Sequence, residues 1–239
     1  MKHGEARFLS CMYVLSLMLL AGFALRGLRG VQMASGAAEI PPIIILDAGH
    51  GGIDGGSSTA DGIRESAINL DITLKTDAVL GLLGEHTLLT RTMDTDLSGS
   101  DAHTIAQKKV SDIQARAALV NSHPGSLFLS IHGNTFPQEK YHGAQFFFNG
   151  VGSSKTWAQL LQETINTAVD PGNTRQAKPA AKNIYLMSHT QVPGVLAECG
   201  FLSNPEEALR LQDPDYQKHL AAALAVITSN FAHNEQHGI

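Results

Sequence analysis

Ile43-Ile44-Ile45-Leu46 runs without a polar break into Asp47 and then into Ala48-Gly49-His50-Gly51-Gly52. A β-branched run with no apolar/polar alternation is a strand buried on both faces. Such a strand needs a covering layer above and below, which is the arrangement of an α/β sheet. The rest of the chain agrees. Glu65 to Leu83 carries Ile68, Ile72, Val79, Leu82 and Leu83 at helical spacing, and Gly84 ends it. His86 to Thr90 reads as a second strand, and Ile105 to Val120 as a helix whose outer face is Gln107, Lys108, Lys109 and Asp112. Leu127 to Ile131 and Ala144 to Phe148 read as strands, and Trp157 to Val169 as a helix. Ile184 to Met187 and Val195 to Glu198 are short apolar runs of strand type. Asn204-Pro205 opens a helix with a capping residue and a proline at its first position, and Tyr216 to Phe231 forms the last one. Strands alternating with helices predict a single α/β domain with a central, largely parallel or mixed sheet flanked by helices.

The N-terminus stands apart from this pattern. Lys2 and Arg7 precede Phe8 to Leu25, a nearly uncharged apolar stretch that would extend about 27 Å as a helix. Small residues follow at Ala34-Ser35-Gly36-Ala37-Ala38. Residues 1–38 are therefore expected to be a signal peptide or membrane anchor with a short linker, and residues 39–239 the folded domain. The expected location is extracytoplasmic, secreted or held at the membrane. A net charge of −5 argues against a nucleic-acid surface. Cys11 and Cys199 are the two cysteines, which excludes a disulfide framework and a cysteine-based zinc ribbon.

In parallel α/β sheets, chemistry gathers at the carboxyl ends of the strands. The residues there are His50 after the first strand, His132 after Leu127–Ile131, and Glu198 ending Val195–Glu198. The glycines around His50 match neither phosphate-binding pattern. Asp54 stands where the dinucleotide fingerprint wants its last glycine, and Ser57 where the nucleotide loop wants lysine. His50, Glu65 and His132 together would supply two imidazoles and a carboxylate, a three-ligand zinc set with an open position for water. Taken singly, each has a plainer role: a turn residue, a helix-start carboxylate, a core histidine. With eleven histidines in the chain, spacing alone does not decide between these. Glu198 is either a general base beside such a site or half of a buried ion pair with Arg91 or Arg116. Asn134 either orients substrate or caps its own loop, and His142 and His189 are lesser candidates.

LDAGHGG, the glutamate of IRESAINL, SIHGN and PGVLAECGFLSNPEEA, in that order between residues 43 and about 232, resemble the signature blocks of zinc-dependent N-acetylmuramoyl-L-alanine amidases. The resemblance implies one catalytic Zn2+ held by His50, Glu65 and His132, with Glu198 as the catalytic glutamate. It also implies hydrolysis of the amide between the lactyl group of N-acetylmuramic acid and L-alanine in peptidoglycan. Pro137 to Gln145 and Asn173 to Met187 resemble the germination-specific, spore-cortex branch, which implies a part in muramic-δ-lactam formation. Alternatives are a peptidoglycan-binding protein that is inactive alone or needs an accessory activator, and a zinc peptidase acting on stem peptides. Three residues depart from the family pattern: Ala48 where proline is usual, Gly133, and Cys199.

Overall fold

The polypeptide is described by a computed structural model in which residues 42–237 are placed. The expected N-terminal export segment lies outside these residues. Ile43–Leu46 enters β1 (Ile44–Ala48), which is wholly buried. The chain continues through α1 (Glu65–Leu82), β2 (Thr87–Leu89), α2 (Ile105–Asn121), β3 (Leu127–Asn134) and β4 (Gln145–Phe148). It then forms α3 (Ser154–Thr164), which runs on as a π-helical turn (Ile165–Val169), and β5 (Lys178–Pro179). The last elements are α4 (Tyr185–His189), β6 (Gly194–Phe201), α5 (Pro205–Gln212) and α6 (Pro214–His237). The six strands make one sheet in the order β2-β1-β3-β6-β4-β5. Every pairing is parallel except β4 against β6. This is the single α/β domain with a mostly parallel sheet that the alternation of patterns predicts. No helix among the described residues is long and apolar enough to cross a membrane.

Alternate residues of the central strands supply two cores. Ile44, Leu46, Leu129, Ile131, Val195 and Ala197 face the layer of α1, α3 and α6, where Trp157 stacks on Phe231 with ring centroids 5.5 Å apart. Ile45, Phe128 and Leu196 face the other way, against Ala117 and Val120 of α2 and Leu186 and Met187 of α4. That division explains why β1 shows no polar alternation: both of its faces are covered. Thr104 closes a capping box with Gln107 at the start of α2, and Asn204 caps α5 ahead of Pro205.

Two local expectations fail. Ile184 to Met187 does not form a strand. Tyr185–His189 makes a single helical turn, with Ser188 N–H donating to the Ile184 carbonyl and Thr190 N–H to that of Leu186. A four-residue apolar run cannot by itself distinguish a buried strand from a buried turn of helix, and here packing against α2 decides. Asp112 does not lie on an exposed face either. It is buried, and its carboxylate takes the Nε–H of Arg116 at 2.9 Å.

Arg116 is 2% exposed and also donates to Asp47 Oδ1 at 2.7 Å, at the carboxyl end of β1. Asp47 further accepts Thr90 Oγ1 at 2.8 Å and Ser130 Oγ at 2.6 Å. Burial alone would raise the Asp47 pKa, but Arg116, His132 and Ser130 overcome it and hold the carboxyl below its ordinary range. Its contribution to stability is therefore complete above the unfolded-state pKa of about 3.9 and declines as pH falls through the lowered folded value. Removing one partner of such a pair strands the other charge in the core. Arg116→Met should lose about 3–5 kcal/mol of folding free energy in denaturant titrations. Asp47→Asn should flatten the acid limb of the stability curve.

Candidate metal centre

The glycine loop after β1 has an unusual backbone. His50 has φ 61°, a left-handed conformation rare for a residue with a side chain, followed by Gly51 at 133° and Gly52 at 57°. Two arginines hold it there. Arg116 donates to the Ala48 and His50 carbonyls, both at 2.8 Å. Arg91 donates to the carbonyls of Ala48 at 2.9 Å, Gly49 at 3.0 Å and Ser66 at 2.8 Å, tying the loop to the first turn of α1. Gly49 is required by close approach, since a Cβ there would lie 2.3 Å from the His132 ring.

The loop brings His50 to Glu65, the first residue of α1, with Nε2 3.2 Å from Oε1. His132, near the end of β3, places Nδ1 3.3 Å from the same oxygen. One ligand atom from each of the three residues lies within 4.8 Å of the others. These separations approach the ~3.4 Å edge of a tetrahedron with metal–ligand bonds of about 2.1 Å, and two nitrogens with a carboxylate oxygen suit zinc. The residues present therefore fit such an ion.

Outer partners fix the ligands. His50 Nδ1 meets Asp54 Oδ2 at 2.8 Å, which turns Nε2 toward Glu65, and Lys109 Nζ reaches the other Asp54 oxygen at 2.7 Å. Glu65 Oε2 accepts the Ser57 N–H at 2.9 Å, and Oε1 accepts Asn69 Nδ2 at 3.3 Å and the Gly133 N–H at 3.2 Å. Burial opposes a charged His50, but hydrogen bonds and charge from Glu65 and Asp54 push its pKa up to about 9. Burial likewise opposes the Glu65 carboxylate, and the two imidazoles hold it well below its usual range. Sequence reasoning missed Asp54, Arg91 and Arg116 in these roles. The available signal was Asp54 itself, an acid four residues after His50 within the same glycine loop.

Glu198 lies beside this group. It is the register partner of His132 across β3 and β6, and both residues line an apolar cavity of about 160 Å³. Neither Arg91 nor Arg116 reaches it, since Arg116 pairs with Asp47 and Asp112 and Arg91 bonds only to carbonyls. Glu198 Oε2 is sealed from solvent and has no hydrogen-bond partner. Burial, reinforced by the Glu65 charge and opposed by His132 and His50, raises its pKa. Cys199 points the other way into the core, 1% exposed, and its thiol is pushed up by burial, so it is no nucleophile. Asn134 uses its side-chain oxygen on the Thr135 N–H at 2.7 Å, a loop cap. His142 and His189 are exposed and stand outside the group.

A mostly parallel sheet with this His-Glu-His group and a strand-end glutamate at its carboxyl edge defines a candidate metal hydrolase. Residues 44–228 match the Amidase_3 family model, described as N-acetylmuramoyl-L-alanine amidase. The germination-specific N-acetylmuramoyl-L-alanine amidase of Bacillus subtilis (strain 168) is 36% identical over 183 residues, covering 76% of each chain. AmiA of Escherichia coli (strain K12) is 26% identical over 234 residues, covering 80% of this chain and 76% of its own. Among solved structures, the CwlD amidase of Clostridioides difficile, in complex with the GerS lipoprotein, superposes with a TM-score of 0.76 at 38% identity. That match covers 80% of this chain and 98% of the other. The chain belongs to the Amidase_3 family of N-acetylmuramoyl-L-alanine amidases, enzymes that hydrolyse an amide bond.

If Asp54 sets the His50 ring, Asp54→Ala should weaken divalent-metal affinity roughly 10- to 100-fold while leaving the fold intact. Metal titrations followed by thermal shift check this, because an ion bound only by the folded state raises its melting temperature.

Proposed function

We propose that this protein is an exported zinc amidase that cleaves the amide between the muramoyl lactyl group and L-alanine of peptidoglycan. His50, Glu65 and His132 are the metal ligands and Glu198 is the catalytic acid–base group. The observation that carries the reading is the unpartnered, sealed Oε2 of Glu198, next in register to His132. A sealed carboxylate oxygen without a partner is costly, and a role in proton transfer accounts for its place.

Zinc, when bound, supplies Lewis acidity that lowers the pKa of a water toward about 7 and polarises the carbonyl. The chain's own residues move the proton. Glu198 takes it from the attacking water as the water oxygen bonds to the lactyl carbonyl carbon. It returns the proton to the alanine nitrogen as the C–N bond breaks, releasing the stem peptide as a free amine. The upward shift of the Glu198 pKa, caused by burial, favours the return of the proton to the leaving nitrogen. Asp54 and the loop arginines keep His50 in its strained position throughout.

The likeness to a germination-specific amidase supports a role on spore-cortex peptidoglycan. Residues 1–38 are read as a signal peptide or anchor that delivers residues 39–239 outside the cytoplasm, and Asn134 as a loop cap next to the substrate edge. An accessory activator is the second reading, favoured because the similar CwlD amidase was solved with the GerS lipoprotein. Zinc content of the protein purified alone tests it: a folded, metal-poor protein supports dependence on a partner.

Glu198→Gln should retain one zinc per chain yet release stem peptides from purified sacculi 10²- to 10⁴-fold more slowly. Activity at the wild-type level in that variant would sink the assigned role. Mass spectrometry of the products separates an amidase, which leaves free lactyl groups, from a peptidase, which shortens the stems.

A further inference from the structure

Arg175 is a half-buried cation without an acid. Arg116 and Arg210 are each paired with carboxylates, whereas none of the ion pairs among the described residues includes Arg175. Its Nε–H donates to the His142 carbonyl at 2.7 Å and Nη1 to Gln145 Oε1 at 2.9 Å. The guanidinium lies over the Phe201 ring, 4.6 Å from its centroid, and Phe201 is covered in turn by Tyr141. Nη2 makes no hydrogen bond and is not sealed from solvent. Glu207 is the carboxylate whose charge acts on Arg175, yet both its oxygens are taken by backbone N–H groups, of Gly143 at 2.9 Å and Phe201 at 2.8 Å. A planar fork is thus held rigidly by neutral contacts with one donor edge open, the arrangement that suits an incoming carboxylate.

Its place relative to Glu198 follows from the sheet. Gln145 is the direct register partner of Glu198 across the antiparallel β4–β6 pair, so the two side chains share a face. His132, Glu198 and Gln145 therefore succeed one another along one sheet edge at steps of about 4.8 Å, and Arg175 stands next in line, held by Gln145. With the scissile nitrogen at Glu198, an extended peptide advancing ~3.5 Å per residue passes Gln145 with its first residue and reaches Arg175 with its second.

We propose that Arg175 is a substrate-binding residue that receives a carboxylate of the stem peptide, carried by the residue after the leaving alanine. The inference rests on the amidase reading above and deepens it by naming the acidic group that the site selects. It also gives a role to the Asn173–Ala177 segment, which precedes β5 and takes no part in the metal group.

The test uses two synthetic muramoyl peptides that differ only in whether the second stem residue bears a free carboxylate or its carboxamide. The wild-type, zinc-loaded protein should favour the free acid about tenfold or more in kcat/KM, the worth of a hydrogen bond to a charged partner. Arg175→Gln should raise KM for the acid about tenfold and KM for the amide by much less, so that the preference between the two is lost. Arg175→Lys should keep part of the preference, since it retains the charge and loses the fork. Equal loss on both substrates in Arg175→Gln would mean that the guanidinium only braces the loop, and would overturn the proposal. So would a wild-type protein that cleaves both substrates alike, a result that needs no variant to fold. A wild-type protein that cleaves neither would instead overturn the amidase reading itself.

Discussion

The Asp47–Arg116 pair is the contact on which the site hangs. It joins the carboxyl end of β1 to α2 inside a layer where neither charge meets water. Two more of its N–H groups donate to the Ala48 and His50 carbonyls, so the same side chain that neutralises the strand also shapes the loop. A left-handed histidine costs on the order of 1–3 kcal/mol and persists only where its surroundings over-determine it. Arg91 completes that constraint from the other side by fastening Gly49 to the first turn of α1. The result is a His50 ring whose direction is fixed before any ligand arrives.

Electrostatics within the site divide the two glutamates by environment. Glu65 is buried but faces two imidazoles and three N–H donors, and so is held as an anion. Glu198 is half-buried, its sealed Oε2 meets no donor, and its pKa is driven up. Two carboxyls near one histidine thus acquire opposite tendencies, one suited to holding a cation and the other to carrying a proton. Cys199, adjacent in sequence to Glu198, falls on the opposite face of β6 and belongs to the core.

Much of this was legible in the sequence because it rests on period and type. The unbroken Ile43–Leu46 run required covered faces, the strand-end rule picked out His50, His132 and Glu198, and the helix-start carboxylate Glu65 completed a three-ligand set. What escaped was set by tertiary contact. Asp112 reads as part of a polar helix face until Arg116 turns it inward. Ile184–Met187 reads as a strand until α2 and the sheet close over a helical turn. The departures from the family pattern become understandable at the same level. Gly133 sits in close packing, where a Cβ would stand 3.0 Å from Leu202 and 3.4 Å from Glu65.

The antiparallel β4 has a consequence for how such a sheet builds a site. In a purely parallel sheet only the residues after each strand reach the carboxyl edge. Here β4 runs against β6, so its first residue, Gln145, comes level with Glu198. Because β5 is parallel to β4, the segment entering β5 arrives at the same edge and brings Arg175 with it. A search confined to strand ends therefore finds His50, His132 and Glu198 but passes over the flank beyond them. That flank differs in kind from the centre. It carries a fixed cation, a buried aromatic ring beneath it and the exposed rings of Phe136 and Tyr141 nearby, and among the described residues it holds no group of three metal-ligating side chains. The chain reversal thus leaves His50, His132 and Glu198 at the ends of the parallel strands and sets Arg175 with its aromatic rings on the opposed flank, level with them along one edge.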